Sequence, residues 1–257
     1  MGVCGRVATV LDMKPVRYIA DHLRQVLING ASAPHTVEVQ RFFKEEIQSR
    51  GWYTDELRKL AKRISRTIAD DAGIDYLFAV ADDLFHGDVL EEKVLAVFLL
   101  QDKADELQES HFRGLIRWLP RVSSWADHDG LATFLLGPMM LMEPKRAAYA
   151  LKWTRSKDRW HRRAAAVSLI RGVREKKFFR EVRFVTSALL NDKDDMVQKG
   201  LGWLLREQAK YDLVHAMPLL RRIRNKAPRL VLRTACETLM PELRAEILGT
   251  KSQRTLR

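Results

Sequence analysis

Trp125 and Asp129 are four residues apart, a spacing that places an indole and a carboxylate on one face of a helix, about one turn from each other. Such a pair suits a cationic ligand, because the ring's π face attracts positive charge and the carboxylate neutralises it. The plainer alternative is a core tryptophan beside a surface acid. Trp203 follows Lys199 by the same four residues, so a second indole shares a helix face with a charged side chain. In Trp160-His-Arg-Arg163 the first and last residues share a face. A guanidinium at Arg163 suits bidentate contact with a phosphate, while Trp160 alone fits packing. Gln198, Lys199, Trp203 and Arg206 form a candidate phosphate-and-stacking cluster, although Arg206-Glu207 equally describes a solvated edge. His128 and His161 adjoin these residues but lie off their face, and neither is favoured as a catalyst. The sequence contains no H-E-x-x-H, paired C-x-x-C, Walker loop, G-x-G-x-x-G or G-x-S-x-G. Metal hydrolysis, nucleotide hydrolysis and serine-esterase chemistry therefore have no support, and no cofactor or metal is expected.

The elements that must position these side chains follow from an internal repeat. Asp129-Gly-Leu-Ala-Thr-Phe-Leu-Leu136 nearly repeats Lys93-Val-Leu-Ala-Val-Phe-Leu-Leu100, with a carboxylate in place of the cation. The pattern of a charge followed by small and apolar residues returns, so that Arg58, Lys93, Asp129, Arg163, Lys199 and Arg233 are spaced 35, 36, 34, 36 and 34 residues apart. A period of this size predicts a curved all-α solenoid of two-helix repeats, each unit burying its apolar face against its neighbours. The six charged positions would then form one row on the concave side, five basic and one acidic. Helical periodicity predicts helices over 17–28, 37–50, 55–70, 75–85, 89–101, 106–119, 124–142, 144–155, 158–174, 178–190, 194–210, 213–225 and 228–248. Phe42, Phe43 and Ile47 are expected to face inward. Gly51 is expected to end its helix, Thr54 to cap the next, and Pro144 and Pro228 to occupy first-turn positions.

The chain of 257 residues is expected to form one domain over 1–257, an ordered array from about 13 to 249 with short loose ends. Its net charge of +12 is uneven: residues 1–143 carry 17 Lys/Arg against 22 Asp/Glu, and 144–257 carry 28 against 11. A basic excess of this kind favours a polyanionic partner. Apolar runs are too short to span a membrane, and no membrane partner is expected. The start, Met1-Gly-Val-Cys-Gly-Arg6, shows no targeting signal. Cys4 and Cys236 are too few for a disulfide framework and have no metal-ligand spacing, so a reducing, cytoplasmic setting is expected; separately, a monomer is expected.

Four stretches give a resemblance to the AlkD-type DNA alkylation repair glycosylases, which are HEAT-like repeat proteins. They are Phe42-Phe-Lys44 through Gly51 to Arg58-Lys-Leu-Ala-Lys62; Trp125-x-x-x-Asp129 through Phe134 to Gly137; Trp160-x-x-Arg163-Ala-Ala; and Gln198-Lys-Gly-Leu-Gly-Trp203-Leu-Leu-Arg-Glu207 with Ala209-Lys210. The resemblance covers roughly residues 40–240. It implies that Trp125 and Asp129 face a lesion, that Arg163 grips the DNA backbone and that Trp203 closes the other side. The implied partner is duplex DNA containing alkylated bases. The implied reaction is release of a cationic N3- or N7-alkylpurine without base flipping, with Asp129 as the catalytic carboxylate assisted by Trp125 and Trp203. The basic row and the candidate cluster, apart from the resemblance, make Arg163, Lys199, Arg58, Lys93, Arg233 and Arg206 the expected DNA-binding residues. Ala126 and Asp55 depart from the family pattern, where some members have an acid and a proline, so the lesion range and the N-terminal repeat's contact with DNA stay open. The competing class is a non-catalytic helical-repeat module that binds DNA or protein.

Overall fold

The structure, a computed structural model, describes residues 14–249. The expectations about Cys4, Arg6 and the chain ends fall outside them. Every element among the described residues is helical, as the periodicity predicts, and the chain divides into two compact units between Leu135 and Leu136.

The first unit contains α1 (Val16–Asn29), α2 (Ala33–Gln40), α3 (Thr54–Phe85), α4 (Leu90–Gln101), α5 (Glu109–Trp118) and α6 (Trp125–Gly130). The long α3 packs chiefly on α4 and α1. Leu77, Val80 and Leu84 of α3, Leu95 and Leu99 of α4, and Trp118 of α5 are fully buried, and Phe85 stacks on Trp118 with ring centroids 4.2 Å apart. The Trp118 indole N–H donates to the Asp82 carboxylate at 2.6 Å, so the buried ring keeps its one polar atom satisfied.

Several helix boundaries differ from the sequence reading, for local reasons. A helix over 37–50 does not form: α2 stops at Gln40, and 41–53 is irregular. The Gln40 amide donates to the Glu45 carbonyl and accepts from the Ile47 amide, giving the backbone an alternative to the helix. Phe42 is consequently 73% exposed rather than inward. Gly51 ends no helix. It sits in the left-handed region at φ 71°, where a Cβ would collide with the Ser32 carbonyl, and it turns the chain into α3. Tyr53, not Thr54, is the N-cap of α3. The break expected between 70 and 75 is a kink at Gly73 (φ 81°, ψ 173°) inside α3. The helix expected over 124–142 is α-helical at both ends with a π-helical turn over Leu131–Leu136.

In the second unit α7 (Gly137–Met142) is followed by a 3-10 turn opened by Pro144, then α8 (Ala148–Trp153), α9 (Arg159–Val167), α10 (Ile170–Arg174), α11 (Phe179–Leu189), α12 (Asp195–Tyr211), α13 (Leu213–Ile223), α14 (Arg229–Ala235) and α15 (Pro241–Leu248). The helices expected over 158–174 and 228–248 are each interrupted, and Pro228 precedes α14 as its N-cap instead of opening its first turn. α12 is the hub, packed against α9, α10, α13 and α14. Gly200 and Gly202 make this possible. A Cβ at Gly200 would press on the Arg163 side chain of α9, and one at Gly202 on Thr234 of α14, at 3.0 and 2.7 Å. The Gly-Leu-Gly of the fourth family-like stretch therefore lets two helices approach α12 closely.

Candidate active site and DNA-binding residues

In the first unit the site begins with a helix start. Ser124 caps α6, its hydroxyl accepting from the Ala126 amide at 3.3 Å. The fully buried Asp127 carboxylate accepts from the backbone amides of Ser123 and Ser124 at 2.9 and 2.8 Å and from both serine hydroxyls. Lys93 balances this charge. Its ammonium donates to the Arg121 carbonyl at 2.6 Å and to the Ser123 hydroxyl at 3.1 Å, and lies 3.7 Å from Asp127. Lys93 is only 3% exposed, which corrects its assignment to DNA: it clamps the turn that launches α6. The sequence signal for this arrangement was present in Ser124-x-x-Asp127, a capping box.

That turn positions Trp125, the first residue of α6, which is 36% exposed and stacks on Phe43 from the irregular segment at 5.1 Å and 15°. The segment itself is held by Glu91. This buried carboxylate accepts from the Ser49 hydroxyl at 2.6 Å and from the amides of Arg50, Gly51 and Trp52 at 2.9, 2.9 and 3.3 Å. One turn beyond Trp125, the Asp129 side chain is 20% exposed, and its Oδ1 lies 2.7 Å from His128 Nδ1. The wholly buried imidazole therefore orients the carboxylate. Neither Glu91 nor His128 was favoured by sequence reasoning: Glu91 because its partners lie about forty residues away in sequence, and His128 because adjacent residues on a helix do not share a face. The contact arises because the imidazole bends back to its neighbour's carboxylate. Arg58 lies partly exposed over the Phe98 ring at 4.7 Å, with Asp55 at 3.5 Å.

In the second unit Asp158 and Asp194 cap α9 and α12, accepting from Trp160 and Met196 amides at 3.0 and 2.9 Å. Arg163 is 5% exposed and donates to the Met196 carbonyl at 2.5 Å, so it ties α9 to the start of α12. Lys199 is partly exposed with Asp195 at 3.2 Å, and Trp203 is half-buried, its indole N–H donating to Glu207 at 3.3 Å. Arg206 is ion-paired to Glu237 at 2.6 Å. Arg233 on α14 is exposed. Trp160 is buried under the Arg159 guanidinium, as packing predicts. The six periodic positions thus differ in exposure: Lys93 and Arg163 are buried, and Arg58, Lys199 and Arg233 reach solvent.

Among the described residues no group of three or more His, Cys, Asp or Glu is placed to hold a metal ion, and no helix is long and apolar enough to cross a membrane. Fold and side chains together define an all-helical protein that supports a partly exposed carboxylate and indole on one helix turn and cations on other helix faces. The sequence pattern of the DNA alkylation repair enzyme family matches residues 23–239, and the chain belongs to that family. It therefore has a role in DNA alkylation repair. Among solved structures it is similar to a predicted DNA alkylation repair enzyme from Enterococcus faecalis, with a TM-score of 0.73 and 15% identity over 82% of this chain and 97% of that one. At that identity the likeness shows the fold. No curated protein matches the chain.

Proposed function

We propose that the protein is a monofunctional DNA glycosylase that hydrolyses the N-glycosidic bond of cationic N3- or N7-alkylpurines in duplex DNA. The observation that carries this reading is the pairing of Trp125 and Asp129 on one turn of α6, with the carboxylate held by His128 at 2.7 Å. An alkylated purine is already cationic and leaves as a neutral base without a protonating acid. What the reaction needs is stabilisation of the cation that develops on the sugar, and a water to add at the anomeric carbon. Asp129 supplies the first electrostatically and orients the second, and the water's second proton passes to solvent. Trp125 presents an indole to the positive sugar edge, and Trp203 is assigned the same role by family resemblance. Base flipping into a deep pocket is not part of this reading.

Arg58, Lys199, Arg206 and Arg233 are the proposed phosphate contacts, and Arg163, which ties α9 to the start of α12, supports the helix that bears Lys199 and Arg206, with a backbone contact of its own assigned by resemblance. Product is an abasic site.

The test is incubation with methylated duplex DNA and chromatography of the released bases. Free 3-methyladenine or 7-methylguanine supports the proposal. Tight DNA binding with no base release overturns it in favour of a non-catalytic DNA-binding module.

A further inference from the structure

α11 and α13 carry none of the residues assigned above to DNA, yet four cations line the groove between them. Arg180 and Arg183 come from α11, and Arg222 and Lys226 from the end of α13 and the turn beyond it. All four are exposed, and none of their side chains has a hydrogen bond or ion pair with another described residue. Their neighbours Arg221 and Arg224 contrast with them, since both are bonded to Glu246. Unpaired like charges gathered in a concavity raise the local concentration of anions.

The groove encloses about 400 Å³ and has an apolar floor that includes Phe184, Leu219 and Ile223. Thr186 lies in its wall, fully buried, and its hydroxyl has no hydrogen-bond partner. In a helix a threonine hydroxyl ordinarily bonds back to a carbonyl of the preceding turn, and an orphaned buried hydroxyl is a cost that a ligand would remove. A neighbouring cavity of about 290 Å³ shares Arg183, Leu219 and Arg222 with it and is lined by Gln208, whose buried Oε1 also lacks a partner. One orphan can donate and the other can only accept. The complementary ligand is therefore polyanionic at one end, has an apolar or aromatic body, and carries an N–H or O–H donor.

We propose that this groove binds a free nucleoside di- or triphosphate. The phosphates meet Arg180, Arg183, Arg222 and Lys226; the Thr186 hydroxyl and Gln208 Oε1, sealed in the ligand-free protein, turn by side-chain rotation, the first to donate to a phosphate oxygen and the second to accept from a ribose hydroxyl or base amino group. A duplex does not fit as well: its phosphates lie on a convex rod, whereas the four cations line a concavity.

The test is calorimetric titration of the full-length protein with ADP and, separately, pyrophosphate. ADP is expected to bind one to one and at least ten times more tightly than pyrophosphate. Arg183→Ala combined with Arg222→Ala should weaken ADP by about 100-fold or more, since each hydrogen bond to a charged group is worth roughly a factor of ten or above. Thr186→Val should weaken ADP about tenfold yet raise the melting temperature of the ligand-free protein, because it removes an orphan hydroxyl without changing shape. Absence of ADP binding overturns the proposal. So does equal affinity for pyrophosphate, indifference to the arginine replacements, or competitive displacement of ADP by an unmodified 12-base-pair duplex, which would make the groove a DNA surface.

Discussion

Replacement of Asp129 by Asn removes one negative charge and almost nothing else. The amide has the carboxylate's shape, and its oxygen can still accept from His128, now 2.7 Å from Oδ1, so the side chain keeps its orientation. The Asp129 side chain is 20% exposed, so its field is neither fully screened nor that of a dry interior. Two unit charges about 4 Å apart interact by roughly 4 kcal/mol at an effective dielectric constant near 20. The sugar carries only part of a full charge at the transition state, and roughly 2.7 to 4 kcal/mol is what a well-placed electrostatic group commonly contributes. Single-turnover release of 7-methylguanine by Asp129→Asn should therefore be about 10² to 10³ times slower. DNA affinity should be unchanged or slightly higher, since a carboxylate repels phosphates. The assay pairs base release under enzyme excess with fluorescence anisotropy of the same duplex. Release within about threefold of the unmodified protein, at equal affinity, would refute an electrostatic role for Asp129.

His128→Asn should slow release about tenfold at unchanged DNA affinity, because one hydrogen bond to a charged group is lost. Rates measured at saturating DNA separate this from a binding defect. Glu91→Ala leaves the buried amides of the 49–52 turn without their acceptor and should cost about 3 kcal/mol in urea unfolding, with lost activity following the displaced Phe43. Arg233→Ala should lower the slope of log affinity against log salt by about 0.9, the share of one neutralised phosphate, on alkylated and unmodified duplex alike. Burial pushes the Cys236 thiol from 9.0 up to about 11, against the pull of Arg244 and Arg229. Cys236 in native protein at pH 8.5 should accordingly react with iodoacetamide roughly 100-fold more slowly than in unfolded protein, read for that residue by peptide mass spectrometry so that Cys4 does not contribute. The raised value means that folding favours the protonated thiol, so its contribution to stability is complete below pH 9 and is lost as pH rises towards 11.

Much of this was legible in the sequence because it rests on local rules. The helical period gave the fold class, and Ser124, Asp158 and Asp194 are ordinary capping residues that fix where α6, α9 and α12 begin. Those starts set the faces of Trp125, Asp129, Arg163 and Trp203. What was illegible depended on partners distant in sequence. Lys93 shares the phase of Arg58 and Asp129, but phase fixes only direction along a helix. Its burial follows from Asp127, whose charge needs a counterion inside the turn. Similarly, 37–50 has helical periodicity, yet Glu91, some forty residues away, collects the amides at its end into a turn. The pairing of His128 with Asp129 was hidden for the opposite reason, being too close for a rule about helix faces.

The stacking of Phe43 on Trp125 has a further consequence. An isolated indole is a flat plate with two equivalent faces, and a ligand approaching it has no handedness to obey. With Phe43 covering one face at 5.1 Å, the plate becomes one-sided. Deoxyribose is chiral, and a strand has a 5′-to-3′ direction, so under the proposed function a sugar edge that meets the other face with its anomeric carbon towards Asp129 would be restricted in the direction its strand can run. On the proposed glycosylase reading, a phenylalanine from an irregular segment would thereby fix from which side the sugar of a damaged strand meets the indole.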